Sequence, residues 1–365
     1  RAWRSLRRLA GDASPAIVPG AMRAHWIEDG LALRTDVPDP VPSGREVIVR
    51  VRLSGVCNTD LELARGYLGY RGVPGHEFVG EVLAAPPESG LAAGRRVVGE
   101  INAGCGTCAW CRGDHPGAFR PGADPHAIGR SPEPGPGDTR HCPSRSVLGI
   151  LGRSGAHAEF LSLPARNLTP VPDDLPDEAA VFVEPVAAAC EILDQVPGLG
   201  PDVRALVLGD GKLGLLTGQV LAGAGCRVLI AGRHPEKLAI AAELGLPTAM
   251  ADSLPPDRWD LVVEATGASS GLAQAVGLVR PRGTLILKST VADPVTLDLA
   301  PIVIDEVRLF GSRCGRFAPA IDRLRDGTVQ VAPLISARYP LSDGITAFHR
   351  AAERGVLKVL LSPDR

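Results

Sequence analysis

The stretch from Gly55 to Gly80 gathers side chains that could bind a metal ion and move a proton. Cys57 supplies a thiol and His76 an imidazole, and sulfur and nitrogen with one oxygen ligand are typical of an open, catalytic zinc site. Thr59 adds a hydroxyl, which both accepts and donates a proton. The carboxylates of this stretch include those of Asp60, Glu62 and Glu77. The alternative is a buried cysteine and a core histidine in a glycine-rich turn.

A second cluster consists of cysteines alone. Cys105, Cys108 and Cys111 follow one another at three-residue steps, and Cys142 lies beyond a spacer rich in Gly and Pro. Four thiolates close a tetrahedral zinc shell without room for water, so the pattern predicts a structural zinc site. The histidines that compete with Cys142 for the fourth position are His115, His126 and His141.

A phosphate-binding motif follows the apolar run ALVL at residues 205–208. The motif is GDGKLG, and its candidate cofactor-binding residues are Gly209, Gly211, Lys212, Leu213 and Gly214. A strand before it and an apolar helix after it are the setting in which this pattern binds the pyrophosphate of a dinucleotide. A purely structural tight turn is the alternative.

The end of the next strand selects the cofactor. An acidic residue there would bind the ribose hydroxyls of NAD, but this chain has Gly232, Arg233 and His234. A small residue followed by a cation favours the 2′-phosphate of NADP. NAD remains the alternative, with Arg233 only capping a solvated turn.

The surrounding elements change in character after Pro185. Short strands with apolar–polar alternation, as in a small antiparallel barrel, are predicted at 47–53, 78–83, 96–101 and 158–163. Apolar runs typical of a parallel sheet lie at 205–209, 227–232, 261–267 and 284–289. Helical stretches alternate with these runs, so the second region is expected to be a doubly wound α/β domain.

Composition narrows the functions available to the chain. Its 365 residues suit two domains, and a net charge of −2 gives no basic surface for nucleic acid. No apolar run reaches the roughly 18 residues that a membrane span needs. Cysteines spaced as CGTCAWC, in a chain for which we expect no signal peptide, indicate metal binding in a reducing, cytoplasmic compartment. Residues 1–21 are expected to be a disordered extension.

Taken together, GVCNTD, PGHEFVGEV, CGTCAWC, VFVEPVAAA, GDGKLG and VLKVLL make the chain similar to the zinc-dependent medium-chain dehydrogenase/reductase family of alcohol, polyol and threonine dehydrogenases. The resemblance implies α/β plus β architecture. Residues 22–184 and 317–365 would form a GroES-like catalytic domain with a structural zinc lobe at about 100–145, and residues 185–316 an inserted Rossmann domain. It also implies hydride transfer between NAD(P) and a small alcohol or ketone, with a secondary alcohol or polyol expected, in a homodimer or homotetramer.

The resemblance assigns the metal ligands as well. Cys57 and His76 would hold the catalytic zinc ion, with Glu184 as the expected third ligand and Glu77 as the alternative. Asp60 would fix the tautomer of His76. The histidines without ligand spacing, expected to be structural or surface residues, are His25, His157 and His349.

Proton and cofactor handling follow from the same resemblance. Thr59 would take the alcohol proton. Relatives continue this relay to a histidine, whereas the corresponding region here offers Leu61 and Glu62. Lys358 would contact the cofactor phosphate, with a surface lysine at a strand edge as the alternative.

Two other functions compete with this hypothesis. A zinc-free reductase of activated double bonds in the same superfamily would lack Cys57, His76 and the cysteine lobe. A non-catalytic NADPH-binding protein would need neither Thr59 nor an open zinc shell, although fold alone does not exclude it.

Overall fold

The computed structural model describes residues 20–41, 44–115, 139–255, 257–290 and 295–364. These residues divide into two compact units, with unit 2 formed by Pro185–Leu334 and unit 1 by the described residues before and after it. Residues 1–19 and 116–138 lie outside the described residues, so the expected disordered extension and most of the spacer with His126 are not addressed.

Unit 1 begins with short strands whose alternating side chains were readable in the sequence. In chain order they are β1 (Ala21–Ile27), β2 (Leu31–Pro38), β3 (Glu46–Val56), β4 (Glu77–Ala84), β5 (Arg96–Gly99), β6 (Asn102–Ala103), β7 (Ser146–Leu148), β8 (Gly152–Arg153), β9 (Phe160–Pro164) and β10 (Leu168–Pro170). The short helices among and after them are α1 (Asn58–Ala64), α2 (Ala109–Arg112) and α3 (Asp177–Ala180).

Unit 2 alternates strands with helices. Its elements are the helix α4 (Val183–Gln195), which enters from unit 1, then β11 (Arg204–Leu208), α5 (Lys212–Gly223), β12 (Arg227–Gly232), α6 (Pro235–Glu243), β13 (Thr248–Met250), β14 (Trp259–Glu264), α7 (Ser269–Leu278), β15 (Val279–Leu287), α8 (Ala300–Ile304), β16 (Arg308–Gly311) and α9 (Phe317–Arg325). The strands form one parallel sheet in the order β13–β12–β11–β14–β15–β16. The predicted doubly wound domain is therefore confirmed, and the strand order changes direction at β11.

The chain then returns to unit 1. Its last elements are β17 (Ile335–Pro340), α10 (Gly344–Ala351) and β18 (Lys358–Ser362). Strand β18 pairs antiparallel with β3, joining Leu360 to Gly55, and completes a sheet of order β10–β5–β4–β3–β18–β17 with β9 also on β3. None of the described helices is long and apolar enough to cross a membrane.

The second unit boundary differs from the expectation. It lies after Leu334 instead of after residue 316. The segment in between is bonded to unit 2: Arg316 pairs with Asp194 at 2.7 Å, and the backbone N–H of Gln330 donates to Gln219 Oε1 at 2.7 Å. Apolar periodicity reports a helix but not the unit against which it packs.

His25 on β1 is a fully buried histidine of unit 1. Neither of its ring nitrogens has a hydrogen-bond partner among the described residues. Gly344 makes room for the ring, since a Cβ there would run into it. Burial lowers the pKa of His25 to about 3. His157 adds to this shift, whereas the negative charge of Asp364 opposes it.

We therefore expect acid to destabilise the protein through His25. The unfolded chain binds a proton near pH 6.5 and the folded chain only near pH 3, so this contribution to stability is present above pH 6.5 and lost as the pH falls toward 3. In metal-free protein, His25→Leu should remove about 2 kcal/mol of the loss between pH 7 and pH 5, measured by urea unfolding. His349→Leu, at an exposed position, is the control. An equal pH effect in wild type and His25→Leu would contradict the assignment.

Candidate active site

The first candidate metal ligand lies where β3 ends and α1 begins. Cys57 is the residue before the helix, and its backbone N–H donates to Asp60 Oδ2 at 2.8 Å. Asp60 is completely buried and also accepts the backbone N–H of Gly75 at 3.1 Å. One carboxylate thus fastens the thiol-bearing turn to the loop that precedes His76.

His76 and Glu77 come from the start of β4, which pairs with β3 through Glu77 and Gly55. One ligand atom from each of Cys57, His76 and Glu77 lies within 4.8 Å of the others. The His76 Nδ1 atom lies 3.4 Å from Asp60 Oδ1, which leaves Nε2 for a metal. Soft and borderline donors gathered in this way fit a zinc ion.

Electrostatics around His76 also suit a cation. Burial alone would lower the pKa of its imidazole, but the negative charges of Asp60 and Cys57 hold that pKa well above its usual range. Burial likewise works against the ionised form of Asp60, yet His76 and His157 keep the pKa of its carboxyl well below normal. A divalent cation would meet the same negative environment and displace a proton on binding.

Lys358, predicted to contact the cofactor phosphate, forms a buried ion pair with Glu77. The Nζ atom of Lys358 also lies 5.4 Å from the ring centre of Phe182. Gly55 makes room for the pair, because a Cβ there would come within 2.6 Å of Glu77 Oε2. The lysine is therefore not the surface residue of the alternative reading, and its contact with a cofactor stays a prediction.

Glu184, the expected third ligand, is not in the group of ligand atoms, whereas Glu77 is. Burial raises the pKa of Glu184 to about 7, with His76 opposing and Glu77 adding to the rise. Glu184 thus feels the charges of the site from the start of α4. Glu77 follows His76 directly in the sequence and therefore lies at the same place, while the choice of the third ligand stays a prediction.

The residues considered for the proton relay, Thr59, Leu61 and Glu62, have different surroundings. The Thr59 hydroxyl lies 3.9 Å from Cys57 Sγ, beside the thiol. Glu62 instead pairs with Arg65 at 2.8 Å, one helical turn away. Leu61 is buried in an apolar cluster with Val56. Of these three residues, only Thr59 lies beside the thiol of Cys57.

The cysteine cluster assembles as its spacing predicts. One ligand atom from each of Cys105, Cys108, Cys111 and Cys142 lies within 4.8 Å of the others. Hydrogen bonds from the Thr107 hydroxyl and from the amides of Thr107 and Cys108 lower the pKa of Cys105 to about 5, which favours the thiolate that zinc binds. Of the competing histidines within the described residues, His115 stacks on Trp110 with ring centres 3.8 Å apart, and His141 lies 5.3 Å from the same ring.

The glycines of GDGKLG have different duties. Gly209 has φ +131°, and a Cβ there would strike the carbonyl of Ala265. A Cβ at Gly214 would strike the carbonyl of Gly209. Gly211, directly before α5, has open space around it and an ordinary φ of −75°. Packing requires the outer glycines, whereas the open space at the middle one, directly before α5, is where a pyrophosphate would fit.

Lys212 and Leu213 form the first turn of α5, each half-buried. The end of β12 is tied to the same motif through Asp210. The Asp210 carboxylate accepts the backbone N–H groups of Arg233 and His234, each at 2.7 Å, and lies 3.0 Å from His234 Nδ1. Gly232 is needed because any Cβ there would collide with this carboxylate.

Sequence reasoning missed two groups at these sites. Asp210 stood in the motif at a position that the pattern leaves unspecified. His157, expected to be structural or on the surface, is buried with Nε2 3.4 Å from Asp60 Oδ2. Its place just before the predicted strand 158–163 was the available signal, since that strand belongs to the same sheet as β3.

Known protein families match residues in both units of the chain. Residues 43–173 match the alcohol dehydrogenase GroES-like domain, and residues 213–326 match the zinc-binding dehydrogenase family. The chain is 30% identical over 359 residues to D-altritol 5-dehydrogenase of Agrobacterium fabrum, with 93% of this chain and 99% of that protein covered.

Two solved structures share the fold with a TM-score of 0.79 each. One is a protein from Sinorhizobium meliloti 1021 bound to NADP, at 25% identity, covering 94% of this chain and 99% of that one. The other is the short chain alcohol dehydrogenase rspB from Escherichia coli CFT073 complexed with NADH, at 27% identity, covering the same shares.

The open space at Gly211 yields a test of the nucleotide site. Gly211→Val should weaken binding of NADPH and NADH at least tenfold, because the new side chain would project into the space before α5, while the unfolding midpoint stays unchanged. Gly200→Val, also in open space within unit 2, is the matched control. Titration calorimetry would measure both affinities, and unaltered binding in Gly211→Val would refute the location.

Proposed function

Because the chain belongs to the medium-chain dehydrogenase/reductase family, we propose that it is a zinc-dependent oxidoreductase that transfers a hydride between an alcohol and NAD(P), giving a ketone or aldehyde. The observation that carries the proposal is the convergence of Cys57, His76 and Glu77 within 4.8 Å, beside the Thr59 hydroxyl. A zinc-free reductase has no need of such a group. The altritol dehydrogenase relative supports a secondary alcohol or polyol as substrate.

The residues then have defined tasks. Cys57 and His76 would hold the ion, with Glu77 as the third protein ligand and Glu184 as the alternative. Zinc bound there would supply Lewis-acid chemistry at the alcohol oxygen. Thr59 accepts the hydroxyl proton and passes it on, since a hydroxyl is both acceptor and donor. A nicotinamide cofactor held at the GDGKLG motif would supply the acceptor for the hydride on the carbon that bears this hydroxyl, so that the alcohol and NAD(P)⁺ would give the carbonyl compound, NAD(P)H and a proton.

The structural site would take a second zinc ion through Cys105, Cys108, Cys111 and Cys142. None of the eight cysteines of the chain, all within the described residues, forms a disulfide. Thiols gathered at ligand distance without forming disulfides support a reducing compartment, for which we propose the cytoplasm.

NADP is the proposed preferred cofactor. Asp210 occupies the backbone N–H groups of Arg233 and His234, so recognition of a 2′-phosphate falls on side chains. The Arg233 guanidinium is exposed and contacts Ser270 Oγ at 3.2 Å, which leaves further donors for a phosphate. NAD is the alternative.

Removal of the thiol tests the metal chemistry. Cys57→Ser should abolish alcohol oxidation and lower the zinc content from two ions per chain to one, while nucleotide affinity changes less than threefold. Metal analysis, turnover with a panel of secondary alcohols and polyols, and NADPH titration are the measurements. Cys226→Ser, at a buried cysteine outside the metal-binding groups, serves as the control. Turnover retained in Cys57→Ser would refute the mechanism.

Cofactor choice has its own test. Arg233→Ala should weaken NADPH binding about tenfold, or about 1.4 kcal/mol, and leave NADH binding nearly unchanged, because only the phosphate meets the guanidinium. Arg227→Ala, at the opposite end of β12, should alter neither affinity. Equal loss for both nucleotides would argue for a general structural role of Arg233.

We also propose that the protein is a homo-oligomer joined at β16. This strand ends the parallel sheet in the part of the chain that the structure describes. Exposed apolar side chains lie on β16, on α8 and on the residue directly before α8, namely Leu309, Val303, Ile304 and Leu299. Open strand edges and apolar patches are surfaces that association covers.

The oligomer test uses one of these side chains. Ile304→Asp should lower the molar mass measured by light scattering to that of a single chain. Ile345→Asp, on an exposed isoleucine of α10, should leave the wild-type mass. A monomeric wild type, or an Ile304→Asp variant with the wild-type mass, would exclude this edge.

A further inference from the structure

His157 is a fully buried histidine that lies outside the group of metal-ligand atoms. Its Nδ1 atom lies 2.9 Å from Ser54 Oγ, and its Nε2 atom lies 3.4 Å from Asp60 Oδ2. Phe348 meets the ring edge-on, with ring centres 5.5 Å apart. Both nitrogens are therefore engaged, one with a strand of the large sheet and the other with the carboxylate beside His76.

The carboxylate of Asp60 fixes the direction of its hydrogen bond with His157. Asp60 accepts backbone N–H groups from Cys57 and Gly75, as an ionised carboxylate does. Because the carboxylate only accepts, the hydrogen between the two groups lies on His157 Nε2, which donates to Asp60, while the Ser54 hydroxyl lies at the other ring nitrogen. On the far side of the carboxylate, His76 Nδ1 lies 3.4 Å from Oδ1. The contacts thus run from Ser54 to His157, from His157 to Asp60, and from Asp60 to His76.

The backbone is shaped to admit this arrangement. Gly75, the residue before His76, has φ +99°, and a Cβ there would come within 2.7 Å of the His157 ring. The amide of His157 donates to the carbonyl of Pro74 at 3.0 Å, and that of Ala156 to the carbonyl of Gly75 at 2.8 Å. The loop with His157 is thus bonded along its length to the loop with His76.

We propose that His157, oriented by Ser54, is a positioning residue for the metal site: it holds the Asp60 carboxylate in the orientation that directs His76 Nε2 to the ion. The inference rests on the proposed function, since it requires zinc at Cys57 and His76. Groups that orient metal ligands from behind typically change metal affinity 10–100-fold. His157 acts through Asp60, so a value near tenfold is expected.

Zinc affinity of the catalytic site is the test, measured by chelator competition in the full-length protein. His157→Leu should weaken it about tenfold, while zinc in the four-cysteine site stays bound. His157→Gln, whose amide can still donate to Asp60, should remain within about threefold of wild type. Ser54→Ala should show a smaller loss than His157→Leu. Phe348→Leu, which alters packing on the ring but no hydrogen bond, should bind zinc as wild type does.

Cobalt substitution adds a readout independent of turnover. The visible spectrum of Co²⁺ bound at Cys57 and His76 should change in His157→Leu and be restored in His157→Gln. Equal zinc affinity in His157→Leu and wild type, or an equal loss in Phe348→Leu, would overturn the inference while leaving the proposed function intact. A wild type that binds only one zinc ion would overturn the proposed function itself. Should His157→Leu not fold, unchanged affinity in Ser54→Ala would overturn the inference.

Discussion

The buried carboxylate of Asp60 is the interaction on which the candidate active site depends. An isolated charge in a protein interior costs several kcal/mol, so it persists only where donors surround it. Here the donors come from the turn at Cys57, the loop at Gly75 and the ring of His157, with His76 close by. Satisfying one anion therefore brings three separate segments of unit 1 to fixed positions, and the thiol and imidazole are carried with them.

A second buried charge, that of Glu77, is balanced by Lys358 from the end of the chain. The two charged groups reach each other because β3 lies between β4 and β18 in the sheet. Gly55 on β3 provides the space in which they meet. Sheet register, and not sequence proximity, thus determines which cation neutralises the carboxylate next to His76. The same register explains how both ends of the chain contribute to one unit.

Much of this architecture was readable from local patterns. Alternating strands before Pro185, parallel-type strands after it, and GDGKLG between a strand and a helix all appear where the sequence places them. What the sequence could not reveal depends on contacts between distant segments. Asp210 reaches the end of β12, His157 reaches Asp60, and Lys358 reaches Glu77 across 281 positions. None of these distances leaves a local period or composition signal. The unit boundary after Leu334 was missed for the same reason. The apolar periodicity of α9 predicts a helix but does not show which unit the helix packs against.

The pairing of β18 with β3 has a consequence for how the protein is made. The strand that completes the large sheet follows unit 2 along the chain, so all of unit 2 is synthesised before it. A nascent chain can therefore fold its nucleotide-binding half while the side of β3 that β18 covers still lacks its partner. Unpaired strand edges on incomplete chains invite association with other chains. Covering this edge of β3 until β18 has been made would therefore protect the yield of native protein.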